Sequence, residues 1–415
     1  MTTASSTTTS TGPNGWRKVR LDAIGTIVTG STPPTHDRTY YGGRWMFASP
    51  ADLGRSKYVR TTVKRLSRSG LARSRSIPAG STLFVCIGST IGKVGLATEE
   101  LATNQQINSI IPGAEIDSEY LYYAATTLSS VVRSRAGEQA VPLVNKSEFS
   151  AFEILLPRSD EQCRIASSLR DADDLIAALE RMIAKKQAIA RGVIQELLTG
   201  RTRLPGYSTQ WRQARVADLL EFKNGLNKAS RYFGSGTPIV NFMDVMNGPI
   251  VTARDVGGKV TLTRDEIKRF SARRGDIFFT RTSEVVEEVG TAAALIDYIP
   301  HAVFSGFILR GRPRTTEVDS RFLAHLFQLA AVRKQVLSTA TYTTRALTNG
   351  GSLGRVTVNL PAVEEQSAIA DVIADIDHEI GLLRERLAKA RDVKLGMARE
   401  LLTGHTRLPA KECAA

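Results

Sequence analysis

Between residues 53 and 98 the chain carries nine basic side chains and no acidic one: Arg55, Lys57, Arg60, Lys64, Arg65, Arg68, Arg73, Arg75 and Lys93. Lys and Arg at this density suit ionic contact with a polyanion. Arg44, Lys57, Arg60, Lys64 and Lys93 are the candidate phosphate ligands of this region. A second candidate follows an apolar run at Thr280-Arg281-Thr282-Ser283-Glu284. There Thr280, Arg281, Thr282 and Ser283 offer donors and acceptors, and Arg281 can form two parallel bonds to a guanine edge. A solvated or phosphate-facing Arg281 fits the same residues equally well. Tyr40, Tyr41 and Tyr232 can line loops beside a nucleic acid or belong to the core.

Little else in the chain suggests chemistry. Gly88-Ser89-Thr90-Ile91-Gly92-Lys93 resembles a fragment of a phosphate-binding loop, but the first glycine spacing is short and Val94 replaces the metal-binding hydroxyl. It reads as a turn, with or without Lys93 presented to a phosphate. The five histidines are scattered, and Cys86, Cys163 and Cys413 show no metal or disulfide spacing, which suits a reducing cytosol. No methyltransferase-type Asn/Asp-Pro-Pro-Tyr/Phe run, Ser-His-Asp set or Cys-His pair occurs, and no apolar run approaches transmembrane length. The residues point to binding and positioning rather than catalysis, in a cytoplasmic protein without cofactor or metal of its own.

The positive charge is unevenly distributed. Residues 15–157 hold 17 basic and 11 acidic side chains and 205–361 hold 21 and 13, balances of +6 and +8. The segments 158–204 and 362–415 contribute +2 and −2, so two regions carry the whole net charge of +14. No amphipathic basic helix is visible, which favours DNA or RNA over a membrane surface as the polyanion.

What must position these regions is a duplication. Residues 157–205 and 361–409 align without a gap at an offset of 204, with 21 of 49 positions identical. Each copy opens with Pro and a Glu-Gln turn and closes on Leu-Leu-Thr-Gly-x-Thr-Arg-Leu-Pro. Between these ends, Ile165, Leu169, Ala172, Ile176, Leu179, Ile183, Lys186, Ala190, Val193 and Leu197 recur in alternating steps of four and three. The second copy repeats this from Ile369 to Leu401, again with one lysine, Lys394. Such heptads predict a coiled-coil seam, ended by Gly200 and Gly404, on helices of about 39 residues and roughly 58 Å. Two equivalent seams in one chain pair naturally with each other.

The basic regions repeat more faintly, at an offset of 195. Trp16 answers Trp211, Gly30 answers Gly225, the run 78–84 answers 273–279, and Val94-Gly95 falls on Val289-Gly290. Strands are expected at 82–87, 277–280 and 304–309, and helices at 118–133 and 320–336. The expected fold is α+β, with two pseudo-repeated mixed α/β domains and two long helices forming an antiparallel coiled coil. The expected order is a disordered Ser/Thr-rich tail (1–14), domain one (15–157), helix one (158–204), domain two (205–361), helix two (362–404) and a tail (405–415).

The doubled Pro-…-Glu-Gln-x-x-Ile-Ala and Glu-Leu-Leu-Thr-Gly-x-Thr-Arg-Leu-Pro blocks resemble those of the specificity subunit of type I restriction–modification systems. So do Gly30-Ser31-Thr32-Pro33, Trp45, Asp52-Leu53 and the turn 88–95. The resemblance covers nearly the whole chain from Gly15. It implies two target recognition domains, each reading half of a bipartite double-stranded DNA site, spaced by the coiled coil. It also implies two modification subunits, which bind S-adenosylmethionine and methylate adenine, and restriction subunits, which use ATP and Mg. The divergence of the two domains implies an asymmetric target. The alternative is a stand-alone coiled-coil DNA-binding regulator without enzyme partners.

Overall fold

The computed structural model describes residues 15–137, 141–342 and 345–409, so the tail 1–14 and residues 410–415 lie outside the described residues. The chain forms two compact units, Met1–Glu180 with Glu385–Ala415, and Arg181–Arg384. Each unit therefore takes half of each long helix, because each helix half buries its apolar face against the α+β domain at its own end.

In the first unit a five-stranded sheet runs in the order Gly25–Thr29, Ile107–Pro112, Thr82–Val85, Val94–Ala97, Tyr58–Val59. All pairs are antiparallel except the last. Thr82–Val85 is buried at every position, and alternation divides its side chains between two cores. Phe84 joins Tyr120, Phe149, Ile165, Leu169 and Leu401 on the helical side, while Leu83 and Val85 join Met46, Leu53 and Val59 opposite.

The second unit repeats this order with Leu220–Asn224, Ile308–Pro313, Ile277–Thr280, Ala292–Leu295 and Ile250–Val251. Ile277 and Phe279 face the helices and Phe278 the other core. Both units are mixed α and β, and the α+β repeat expected from the sequence is present.

Three local readings change. Each expected single helix is two, Ser118–Thr127 with Ser129–Arg135 and Ser320–Leu326 with Ala330–Ser338, their starts capped by Asp117 and Asp319. The strand expected at 304–309 is broken into Val303–Phe304 and Ile308–Pro313. At the break, a side chain on Gly306 would overlap Asn227, its ideal Cβ lying 1.9 Å from Oδ1. Finally, Gly290 corresponds to Gly92 and not Gly95. Gly92 N donates to Val85 O and Gly290 N to Thr280 O, both at 2.9 Å, and both glycines have positive φ. The turn before this glycine is three residues longer in the second unit, an insertion that shifted the sequence alignment.

The long helices span Ser159–Thr199 and Val363–Leu402, 41 and 40 residues. Within the first unit they run antiparallel, tied by Asp173–Lys394 at 2.5 Å and Glu180–Arg391 at 2.6 Å. Within the second, Lys186 pairs with Glu379. The lysine interrupting each apolar seam is therefore met by a carboxylate of the opposite helix. Val193, placed in the seam by its spacing, is 39% exposed, and Ile194 packs in its stead. Cys86 is a buried free thiol, Cys163 is disulfide-bonded, against the expectation from spacing, and Cys413 lies outside the described residues. Chain spacing reveals local pairings only, so it could not show that of Cys163.

The most repeated residues meet across the copies. Glu161 of the first Glu-Gln turn, 4% exposed, receives Arg407 at 3.0 and 2.8 Å and the indole N–H of Trp16 at 3.1 Å. Glu365 of the second turn, 1% exposed, receives Arg203 at 2.6 Å through both oxygens. Gln162 and Gln366 each accept from the backbone N–H of a helix-capping aspartate, Asp117 or Asp319. Each Thr-Gly-x-Thr-Arg segment thus locks the Glu-Gln turn of the other copy. Gly200 and Gly404, with φ of +70 and +72, pack against the Trp211 and Trp16 rings.

Candidate nucleic-acid interface

Of the nine basic residues between 53 and 98, seven are exposed: Arg55, Arg60, Lys64, Arg65, Arg68, Arg73 and Arg75. No carboxylate lies within ion-pairing distance of any of them among the described residues. Lys64 and Arg65 lie on Lys64–Leu66, which pairs with Tyr41–Ala48, and Arg65 Nη1 donates to the Arg44 carbonyl at 2.7 Å. Arg44 is exposed on the bulged part of that strand, its guanidinium 4.6 Å above the Trp45 ring. Arg60 is held similarly, 5.1 Å from the Tyr58 ring. Planar cations resting on aromatic faces keep their N–H edges free for phosphate. Beside them a depression of about 390 Å³ is lined by Arg38, Tyr41, Val63, Lys64 and Arg65.

Lys57 is a correction. Its side chain is 6% exposed, lies 3.1 Å from Glu119 and donates to Tyr123 Oη at 3.0 Å. Burial outweighs Glu119 and holds its pKa below the usual lysine value. Lys57 therefore ties the sheet edge to the helices and is not available to a phosphate. Lys93 is partly withdrawn, its stem against Gly54 and its ammonium 3.3 Å from the Pro50 carbonyl.

The second candidate also divides. Thr280 is fully buried and bonds within the turn, its hydroxyl to the Glu288 carbonyl and from Thr291 N at 2.9 Å. It is structural, against the expectation. Ser283 donates to Glu288 at 2.5 Å and accepts from Val285 N, which occupies its hydroxyl. Thr282 pairs with Leu347 in a short ladder. Arg281 is half-buried, its backbone fixed by Phe307 O and Thr348 N at 2.9 Å, while its Nε has no hydrogen-bond partner among the described residues. Arg333 supports the turn from below, donating to the carbonyls of Glu287 and Val289 at 2.7 and 2.8 Å. Arg281 thus holds hydrogen-bonding capacity in reserve.

Tyr41 is anchored to Pro33 O at 2.7 Å, Tyr40 lies in the 3-10 turn before the bulged strand, and Tyr232 sits under the cations of Lys228 and Arg231. These rings support loops.

Comparison with known proteins bears on this arrangement. The family model described as the type I restriction modification DNA specificity domain matches residues 13–190. The MjaVIII type I specificity subunit of Methanocaldococcus jannaschii is 21% identical over 412 residues, 95% of this chain and 94% of that protein. The chain is thus similar to type I specificity subunits over nearly its whole length, and residues 13–190 match their family model. The MjaIX specificity subunit of the same organism is 26% identical over 300 residues, covering 66% of this chain and 68% of that protein. The solved S subunits of M. genitalium and Thermoanaerobacter tengcongensis share the fold at TM-scores of 0.57 and 0.53, with 15% and 16% identity, over 95% of this chain and 98% of each of theirs.

Two exposed residues escaped sequence reading. Arg38 lies outside the basic run but beside Lys64 and Arg65. Phe307, 57% exposed, abuts Arg281 and occupies the place that Gln106 holds in the first unit, where Cys86 N donates to Gln106 O. Nothing in the sequence separates an exposed phenylalanine from a core one. The bulged Tyr41-Gly42-Gly43-Arg44 strand was a usable sign for Arg38. Among the described residues there is no cluster with metal-ligand composition and no helix long and apolar enough to cross a membrane.

Proposed function

We propose that each α+β unit of this specificity subunit reads one half of an asymmetric bipartite DNA site, and that the paired helices set the unread spacer. The carrying observation is that two domains of one topology differ at equivalent turns, six residues (86–91) in one and nine (281–289) in the other. Equal scaffolds with unequal reading turns suit two different half-sites. The unpaired arginines and lysines of the first unit neutralise phosphates, which positions the chain, and Arg281 with Phe307 faces base edges in the second.

The chain itself supplies recognition and no catalytic group. In the proposed assembly two modification subunits dock on the helices and bring S-adenosylmethionine for adenine methylation. Restriction subunits bring ATP and Mg. Sequencing the methylated sites of cells with and without the gene tests this: a split motif should vanish on deletion. In the reconstituted methyltransferase, Arg281→Ala should relax one base of the second half-site at a cost of about 1–3 kcal/mol. Equal loss on all sequences would make Arg281 a phosphate ligand, and methylation by the isolated chain would refute the scaffold role.

A further inference from the structure

Lys223 and Arg310 are directly opposed in the antiparallel register of Leu220–Asn224 and Ile308–Pro313. Directly opposed residues on a sheet face have Cβ atoms about 4.5–5.5 Å apart, and like charges there destabilise the pairing. Arg310 is 4% exposed; its Nη1 donates to Ser271 O at 2.8 Å and its guanidinium lies 5.5 Å from the Phe304 ring, while its buried Nε has no hydrogen-bond partner among the described residues. Lys223 is half-buried and makes neither hydrogen bond nor ion pair among the described residues.

Neighbouring acids do not compensate. Asp276, 1% exposed, is saturated by Arg312 through both oxygens at 2.7 Å and by the backbone N–H of Arg273. Glu221 lies on the same face, opposite Arg312, but is exposed and forms no ion pair among the described residues. Arg269, exposed on Arg264–Arg269 with its guanidinium over the Phe270 ring, adds a further cation. Four cations (Lys223, Arg269, Arg310, Arg312) thus face two carboxylates. Burial, then the charges of Arg310 and Arg269, hold the Lys223 pKa below its ordinary value, and burial does the same to Arg310. The first unit has Val28 opposite Ser109 at the equivalent place, so the fold does not require this charge.

We propose that Lys223, Arg310 and Arg269 form a binding site for a phosphate group, present in the second unit alone. A doubly or singly charged oxyanion beside them would relieve the cross-strand repulsion. The phosphate is either a backbone phosphate of bound DNA or a free phosphate species, and the two sources are separable.

The experiment uses the full chain with Lys223→Gln and the exposed Arg269→Gln as variants. Melting is followed in chloride and in inorganic phosphate at equal ionic strength. Phosphate should raise the Tm of the unaltered chain and should raise that of Lys223→Gln and Arg269→Gln less. In chloride Lys223→Gln should melt above the unaltered chain, since the like-charge pair is gone. An equal rise in all three proteins is a general salt effect and overturns the site, as does no rise at all. Duplex binding across a chloride series identifies the source: a log–log slope shallower by about one in Lys223→Gln assigns a DNA phosphate, and an unchanged slope with the Tm effect assigns a free one. The melting arm requires no DNA reading, so its outcome is independent of the proposed function.

Discussion

At the scale of the residue, the first unit shows how a basic sequence run separates into structural and available charges. Lys57 and Arg60 are three positions apart, yet one is paired in the interior and the other rests on a tyrosine at the surface. Their substitutions should diverge accordingly. Glu119→Gln leaves Lys57 buried without its closest anion and should cost about 3 kcal/mol in chemical denaturation, against within about 0.5 kcal/mol for Arg60→Ala. A small loss for Glu119→Gln would mean that Lys57 finds solvent or Asp173 instead. His325, 8% exposed, offers a titration of the second unit. Burial, then Arg321, lowers its pKa to about 4 from an ordinary 6.5. The unfolded chain therefore takes up the proton first as pH falls. The stability it contributes is complete above pH 6.5 and is lost between there and about 4, roughly 3 kcal/mol in all. His325→Gln should flatten that part of the stability–pH curve. An unchanged slope would assign the acid sensitivity to other groups.

At the scale of the element, the long helices were the most legible part of the chain, because a heptad pattern over ten positions and a matched cap at each end leave few alternatives. Even there, Val193 was misassigned, since the helix end turns its face to a domain instead of a partner helix. The strands were legible where both faces are buried, as at Ile277–Thr280, and failed at Gly306, where a close approach sets the break. The reading residues were the least legible. Lys57 and Thr280 look like good ligands by type, and only burial shows that each is already bonded. The ion pairs also refine where the helices can be lengthened. Seven residues inserted after Met182 and after Arg386, equivalent points of the repeat, preserve the heptad phase and leave Lys186–Glu379 and Lys394–Asp173 intact. About 10 Å is added, so the spacer should grow by at most about three base pairs while both half-sites persist. An active variant with the old spacer would mean that the helices do not measure the distance. Four-residue insertions should abolish assembly first.

At the scale of the whole molecule, two units of one topology make recognition modular. Exchanging residues 15–157 for those of a relative should alter one half of the methylated motif and spare the other, as read by sequencing. Changes in both halves would show that the units do not read separately. The first unit draws on both ends of the sequence and the second on one continuous stretch: Glu161–Arg407 joins residues 246 apart, whereas Arg203–Glu365 joins residues 162 apart. These distances impose a timetable on synthesis. A ribosome completes the second unit at Arg384, but the first still lacks Glu385 onward, about 205 residues after Glu180 left the peptidyl-transferase centre. At roughly 5–20 residues per second that is on the order of 10–40 s. The domain made first is thus the last to be closed, and through that interval its helix carries the Ile165 and Leu169 face without the Leu401 side of its core.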